Sequence, residues 1–114
     1  MVACTATLNT LAADYAGVGT WIGLTTGAPG SGTTPENEAS GGSYARVQTT
    51  WSSETTGVQQ GTAVTISAPA GTYTNAFIAS SSTGNNMTDN LAFTPPITLL
   101  AAGEIIFTPL YTQT

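Results

Sequence analysis

The chain lacks most of the groups that proteins use for proton transfer. It contains no histidine and a single basic side chain, Arg46, against six acidic residues, so that only 6% of the residues are charged and the formal net charge is −5. A nucleophile or a general acid normally needs a histidine, a lysine or another base beside it. The composition therefore argues against an enzyme, and we predict no catalytic residue and no bound cofactor.

The scarcity of cations also excludes two classes of binding partner. Proteins that bind nucleic acid neutralise several phosphates with Lys and Arg, which one arginine cannot do. Anionic membrane surfaces attract clusters of basic residues for the same reason. No apolar run approaches the roughly 20 residues that span a bilayer. We therefore predict a protein that binds neither nucleic acid nor a membrane.

Cysteine is nearly absent as well. Cys4 is the only one, so the chain cannot form an intramolecular disulfide or a zinc cluster. A lone thiol fits synthesis in a reducing cytoplasm. The amides and the acid of residues 85–90 lack the spacing of a calcium loop, and a polar hairpin is the better interpretation. We predict no bound metal.

Glu36 and Glu38 are the pair of carboxylates that come nearest to a catalytic arrangement. A glycosidase needs two acids about 5 to 10 Å apart across a cleft. A structural role explains them better, with Glu38 paired to Arg46 and Glu36 solvated. For Arg46 two interpretations stay open. It makes a bidentate pair with Glu38 that locks the loop to the sheet, which we favour, or it contacts an acidic patch on a neighbouring subunit.

The residues that are abundant, Thr, Ser, Asn and Gly, alternate with apolar residues in the manner of short strands and turns. The exception is the start of the chain, where apolar residues at helical spacing predict one short helix at about residues 5–16. Thr5 or Thr7 is expected to cap its start, and Gly17 is expected to end it in a left-handed conformation.

The rest of the chain predicts an all-β fold, a β-sandwich or small barrel of about six to eight strands, as one domain over residues 1–114. Strands are predicted at residues 20–26, 44–51, 63–68, 73–80, 91–93, 97–100 and 104–110. The Pro95-Pro96 pair and Pro109 are expected at sheet edges or strand ends, because proline lacks a backbone donor.

Residues 27–43 form a long loop rich in Gly, Ser, Thr and Pro, which we predict to be an interaction element. Gly41 and Gly42 allow the chain to turn sharply before the strand that starts at Tyr44. Trp21 and Trp51 could stack on sugars, but both lie in alternating segments, and core or interface packing fits that position better.

The order of these features resembles a family of small structural proteins of tailed bacteriophages, described as tail-fibre-like, minor tail or head-decoration proteins. The resemblance rests on the strand at 21–26, the Gly/Pro loop at 28–30, the segment from Glu38 through the double glycine to Tyr44-Ala45-Arg46, and the Pro-Ala-Gly turn at 69–71. It implies a β-sandwich subunit of the virion that has no enzymatic activity and acts by multivalent packing.

These observations together predict a capsid decoration or minor capsid subunit on the outer surface of the virion, made in the host cytoplasm. The negative charge would repel DNA packaged inside the shell. The expected partners are copies of the chain itself, in a symmetric oligomer such as a trimer, and the major capsid protein or another virion protein. The alternative is a tail-fibre or tail-tip domain that recognises host glycans. The residues expected to build the interface are Glu38, Gly41, Gly42, Tyr44, Arg46, Trp21 and Trp51.

Overall fold

The computed structural model describes residues 4–53 and 56–112, so the ends and residues 54–55 of the predicted domain lie outside the described residues. These residues form one helix, α1 (Thr5–Val18), and nine strands in three antiparallel sheets. The strands are β1 (Trp21–Thr25), β2 (Val47–Gln48), β3 (Trp51–Ser53), β4 (Val58–Gly61), β5 (Val64–Ala68), β6 (Gly71–Ala79), β7 (Met87–Leu99), β8 (Gly103–Phe107) and β9 (Leu110–Thr112). The predicted all-β class with one short helix is confirmed, with more strands than expected. The helix in this part of the chain lacks the length and apolarity needed to cross a membrane.

The largest sheet has the order β2-β1-β6-β7 and is covered on both faces. On one face, Ile22 and Leu24 of β1 share a cluster of buried side chains with Ile66 of β5, and β5 pairs only with β8 in a separate two-stranded sheet. On the other face lies a second cluster around Phe77 of β6. The four-stranded and the two-stranded sheet thus share one cluster of buried side chains.

The ends of α1 differ from the prediction. Cys4 occupies the N-cap position without a side-chain hydrogen bond, so neither Thr5 nor Thr7 caps the helix. The helix also passes through Gly17 and ends before Gly19, whose backbone is extended (φ −169°) rather than left-handed. The reason is tertiary: the next residue, Thr20, already donates its N–H to the Ala79 carbonyl at 3.2 Å, so the chain has to leave the helix extended to enter the sheet.

The strand predicted over residues 44–51 is wrong in part. Its two strand segments, β2 and β3, belong to different sheets, and Thr49 lies between them outside any strand. The Thr49 hydroxyl donates to the Thr62 carbonyl at 2.8 Å and its N–H donates to the Thr20 carbonyl at 2.8 Å, so the chain crosses between sheets at this point. Within the same segment, Ala45 is exposed and Arg46 is buried.

The strands predicted at 91–93 and 97–100 are joined into one strand, β7, at the edge of the largest sheet. Pro95 and Pro96 therefore lie on an edge strand, as predicted, and the pairing with β6 shifts register opposite them, between Tyr73 and Asn75. Strand β4 was not predicted, because its sequence Val-Gln-Gln-Gly carries little β-branched or aromatic signal. It is positioned by its two neighbours, β3 and β9.

Candidate functional site

Arg46 is buried although it is the only cationic side chain of the protein. Its side chain is 3% exposed. Its Nε donates to Oε2 of Glu38 at 2.9 Å and its Nη2 donates to Oε1 at 3.0 Å, which is the bidentate geometry of a strong charge-assisted pair. The predicted intrachain pair is thus confirmed, and its burial leaves the guanidinium inaccessible to an acidic patch on a neighbouring subunit.

The remaining donors of Arg46 all reach the turn between β6 and β7. Nη1 donates to the Ser81 carbonyl at 2.9 Å and to Oδ1 of Asn86 at 3.1 Å, and Nη2 donates to the Gly84 carbonyl at 2.8 Å. With the two bonds to Glu38, each of the five N–H groups of the guanidinium is used. We call Arg46, Glu38 and residues 81–86 the arginine clamp, because it joins the long loop to a turn that is distant in the sequence.

The clamp is supported on its inner side by two aromatic residues. The Cζ atom of Arg46 lies 5.0 Å from the ring centre of Phe77, a cation–π contact in a buried setting. The Tyr44 hydroxyl donates to Oε2 of Glu38 at 2.9 Å and accepts the backbone N–H of Leu24 at 3.1 Å. Burial raises the pKa of the Tyr44 hydroxyl, and the nearby Glu38 carboxylate acts in the same direction, so the hydroxyl stays protonated as a donor.

Residues 27–43 are attached to the sheet along much of their length. The Ala39 N–H donates to the Leu24 carbonyl at 2.9 Å, and the Met87 N–H of β7 donates to the Thr33 carbonyl at 2.9 Å. Gly41 and Gly42 have φ values of 91° and 58°, so the predicted sharp turn before Tyr44 is present. The longest exposed parts of the loop are residues 31–34 and 40–43, and Ala28, Glu36 and Asn37 are exposed as well. Its role as an interaction element stays a prediction.

Trp21 and Trp51 are half-buried and lie in different parts of the molecule. Trp21 packs against the cluster around Phe77. Trp51 donates its Nε1–H to the Gly19 carbonyl at 2.9 Å and meets the Tyr15 ring edge-on at 6.1 Å between ring centres. Both rings pack within the chain, and their predicted part in an interface is untested.

Tyr15 connects the helix to two strands. Its ring stacks on Tyr111 of β9, with ring centres 3.6 Å apart and planes within 9°. Its hydroxyl donates to Oδ2 of Asp89 in β7 at 2.8 Å. Burial raises the Tyr15 pKa, and the hydrogen bond to Asp89 adds to the effect. We call Tyr15, Trp51 and Tyr111 the aromatic cluster, which fixes α1 to the strands.

The hydrogen bond of Trp51 gives a direct test of that cluster. Trp51→Phe keeps a ring against Tyr15 but leaves the Gly19 carbonyl without its donor. We expect the free energy of unfolding to fall by about 1 kcal/mol, the usual cost of one lost hydrogen bond. Urea unfolding followed by circular dichroism measures it. A stability equal to that of the unsubstituted protein would show that the indole bond contributes nothing.

Three of the groups considered for catalysis or metal binding accept hydrogen bonds from side chains of this chain, namely Glu38, Asn86 and Asp89. The Glu38 carboxylate is held by Arg46 and Tyr44, whereas Glu36 is exposed. Asn86 and Asp89, considered for a cation, accept hydrogen bonds from Arg46 and Tyr15. Within residues 4–53 and 56–112, no three His, Cys, Asp or Glu side chains are grouped to hold a metal ion. The arginine clamp has a structural role, since it holds three segments of the chain together.

The sequence did not point to the partners of Arg46 in the β6–β7 turn. Two of them are backbone carbonyls, those of Ser81 and Gly84, which any residue carries. One signal was available: a single buried arginine has five donors, and the two that Glu38 satisfies leave three others to be placed. Tyr15 and Asp89 were likewise not paired in advance, since 74 residues separate them.

Comparison with known protein families gives a match over most of the chain. The profile of a family described as podophage GP4 fiber I protein gp80 matches residues 5–112. The matched range includes α1, the nine described strands and the arginine clamp. No curated protein and no solved structure matches the chain.

Proposed function

We propose that this chain, which belongs to the podophage GP4 fiber I protein gp80 family, is a non-enzymatic component of a virion fibre. Membership of that family makes it a structural protein of the bacteriophage virion. The family description names a fibre. That description favours a place in a fibre, as in the tail-fibre or tail-tip alternative considered from the sequence, over the capsid decoration subunit on the outer shell.

The observation that carries the proposal is that Arg46 is buried and has all of its donors bonded within the chain. The only basic side chain of the protein is consumed in holding the loop and the β6–β7 turn, so the chain has no other Lys, Arg or His side chain to offer a substrate. What the described surface offers a partner is hydroxyl, amide and apolar groups with scattered carboxylates. Such a surface suits adhesion to other proteins, repeated over many copies.

The shape and the apolar surface support an assembly role. The described residues extend over 47 × 25 × 24 Å, so the molecule is about twice as long as it is wide. Several large apolar side chains are exposed, namely Leu91 (57%), Leu100 (94%), Ile106 (71%) and Leu110 (63%). Exposed apolar groups of this size commonly mark protein contacts. We propose that the partners are further copies of the chain, with a trimer as one arrangement, and another virion protein.

Glycan recognition receives less support from the aromatic residues. Sugar binding by aromatic rings needs an open ring face, and the stacking of Tyr15 on Tyr111 leaves at most one face of each ring for a sugar. A glycan array with the purified chain tests this alternative directly. Saturable binding to host polysaccharide would favour a tail-tip domain over a structural fibre component.

Location within the particle decides between fibre and shell. We expect a reconstruction of the intact virion, or gold labelling of a tagged chain, to place the protein in a fibre at the tail. Label spread over the head would favour the decoration subunit instead, and absence from purified particles would contradict every version of the proposal. Light scattering of the purified chain tests self-association, since a monomer at all attainable concentrations would exclude the homo-oligomer.

A further inference from the structure

A groove of about 260 Å³ lies between β7 and the segment that joins β8 to β9, and the three residues of the aromatic cluster form part of its lining. Its apolar lining includes Leu91 of β7, Phe107 of β8 and Leu110 of β9. Leu91 and Leu110 are 57% and 63% exposed, so the groove is bordered by apolar groups that water contacts. We call it the β7–β9 groove. Its lining contains no residue of the arginine clamp, and the proposed function names no specific partner for its two exposed leucines.

One carboxylate, that of Asp89, lies in this lining. Asp89 and Leu91 are two residues apart on β7 and therefore point to the same side of the strand. The Asp89 carboxylate accepts hydrogen bonds from the Tyr15 hydroxyl at 2.8 Å and from the Asn90 N–H at 2.8 Å. Both donors are neutral, and Asp89 is exposed, so its negative charge remains available to a partner.

The cation that would complement Asp89 cannot come from this chain. Its only basic side chain, Arg46, is 3% exposed and fully bonded in the clamp. A second copy has the same buried arginine and the same net charge of −5, so it brings further repulsion and no basic side chain. Charge complementarity therefore indicates that the partner at this groove is a different protein.

We infer that the β7–β9 groove binds a segment of another virion protein that presents a Lys or Arg beside apolar side chains. The cation pairs with Asp89, and the apolar side chains cover Leu91 and Leu110. This inference rests on the proposed function only in assuming that the partner is a virion protein. Contact between copies of the chain then uses surface outside this groove.

Photo-crosslinking in assembled virions identifies the occupant. A photoreactive phenylalanine derivative replaces Thr108, an exposed residue in the groove lining, and in a matched control replaces Thr65, an exposed residue of β5 outside it. We expect the Thr108 probe, and not the Thr65 probe, to crosslink to a different virion protein at a segment that contains Lys or Arg. Crosslinks to a second copy, to polysaccharide, or to nothing would each overturn the inference.

The contribution of charge is measured with the crosslinked protein as the probe. Asp89→Asn removes the charge while its amide oxygen still accepts from Tyr15, and Leu110→Ser removes an apolar contact. We expect the affinity for that protein to fall about two- to fivefold for Asp89→Asn, less at high salt, and about tenfold for Leu110→Ser. The matched controls are Glu104→Gln and Ile106→Ser, exposed residues of β8 outside the groove lining.

The outcomes separate this inference from the proposed function. Equal affinities for the four variants, each with an unchanged melting temperature, would overturn the groove assignment and leave the fibre role intact. A protein that is absent from purified virions would instead contradict the proposed function itself.

Discussion

Arg46→Ala is expected to lower the free energy of unfolding by about 3–5 kcal/mol, because removing one partner of a buried ion pair leaves the other charge uncompensated. The exchange leaves the Glu38 carboxylate, 25% exposed, with Tyr44 as its remaining side-chain donor. It also removes the donors to the Ser81 and Gly84 carbonyls and to Asn86. Urea unfolding of the purified variant measures the loss.

Two further variants show whether the geometry or the charge of Arg46 matters. Arg46→Lys keeps the charge but cannot make the bidentate pair and reach the turn together, so its stability should lie between those of the alanine variant and the unsubstituted protein. Glu38→Gln should cost at least as much as Arg46→Ala, since it leaves the Arg46 guanidinium, 3% exposed, without a counter-charge even though its bonds to the turn remain.

Amide hydrogen exchange shows which segments of the chain lose protection in Arg46→Ala. Amides of residues 27–43 and 81–86 should exchange faster in Arg46→Ala, whereas amides of β5 and β8 should not. We also expect this variant to be incorporated into virions less than the unsubstituted chain. Unchanged stability together with full incorporation would show that the clamp is dispensable.

Gly23→Ala is the second exchange expected to have a large effect. A Cβ atom at Gly23 would lie 2.3 Å from Cζ of Phe77 and 2.8 Å from the Tyr44 hydroxyl oxygen. Neither group has room to move, because Phe77 is 1% exposed and the Tyr44 hydroxyl is bonded to both Glu38 and Leu24. We expect a destabilisation of about 2–3 kcal/mol, in the upper part of the range for an overfilled core.

The same chemical change at Gly17 provides the matched control. A Cβ atom at Gly17 meets nothing within 4 Å, and the residue lies inside α1. Gly17→Ala should therefore stabilise the protein by up to about 1 kcal/mol, through helix propensity alone.

A second substitution tests whether crowding is the cause of the Gly23 effect. Adding Phe77→Leu to Gly23→Ala replaces the ring that the new methyl group meets with a shorter side chain. The double variant should then lose less than the sum of the two single losses. Strictly additive losses, or equal stabilities for Gly23→Ala and Gly17→Ala, would contradict the packing described for this face of the sheet.

Strong local patterns explain which elements were predictable. In β1 and β5, apolar residues two apart (Ile22 with Leu24, Val64 with Ile66) indicated strands, and these four side chains are buried. The Glu38–Arg46 pair was predictable for a different reason. A protein that buries its only cationic side chain must place a carboxylate beside it, and this sequence has few carboxylates.

The elements that the sequence missed are held by distant partners. Residues 44–51 read as one alternating strand, yet Thr49 is bonded to Thr62 and Thr20, which divides that segment between two sheets. Strand β4 has almost no strand signal of its own and exists because β3 and β9 lie on either side of it. Local propensity of this strength is overridden by tertiary pairing.

The sequence by itself determined how few ionisable groups this protein has, with no histidine and one basic residue against six acidic ones. Only the tertiary structure decided where that one basic residue is used. Backbone carbonyls carry no signature in the sequence. The turn that meets Arg46 is therefore brought to it by the pairing of β6 with β1 and β7, and the same pairing places Asp89 beside Tyr15 at the β7–β9 groove.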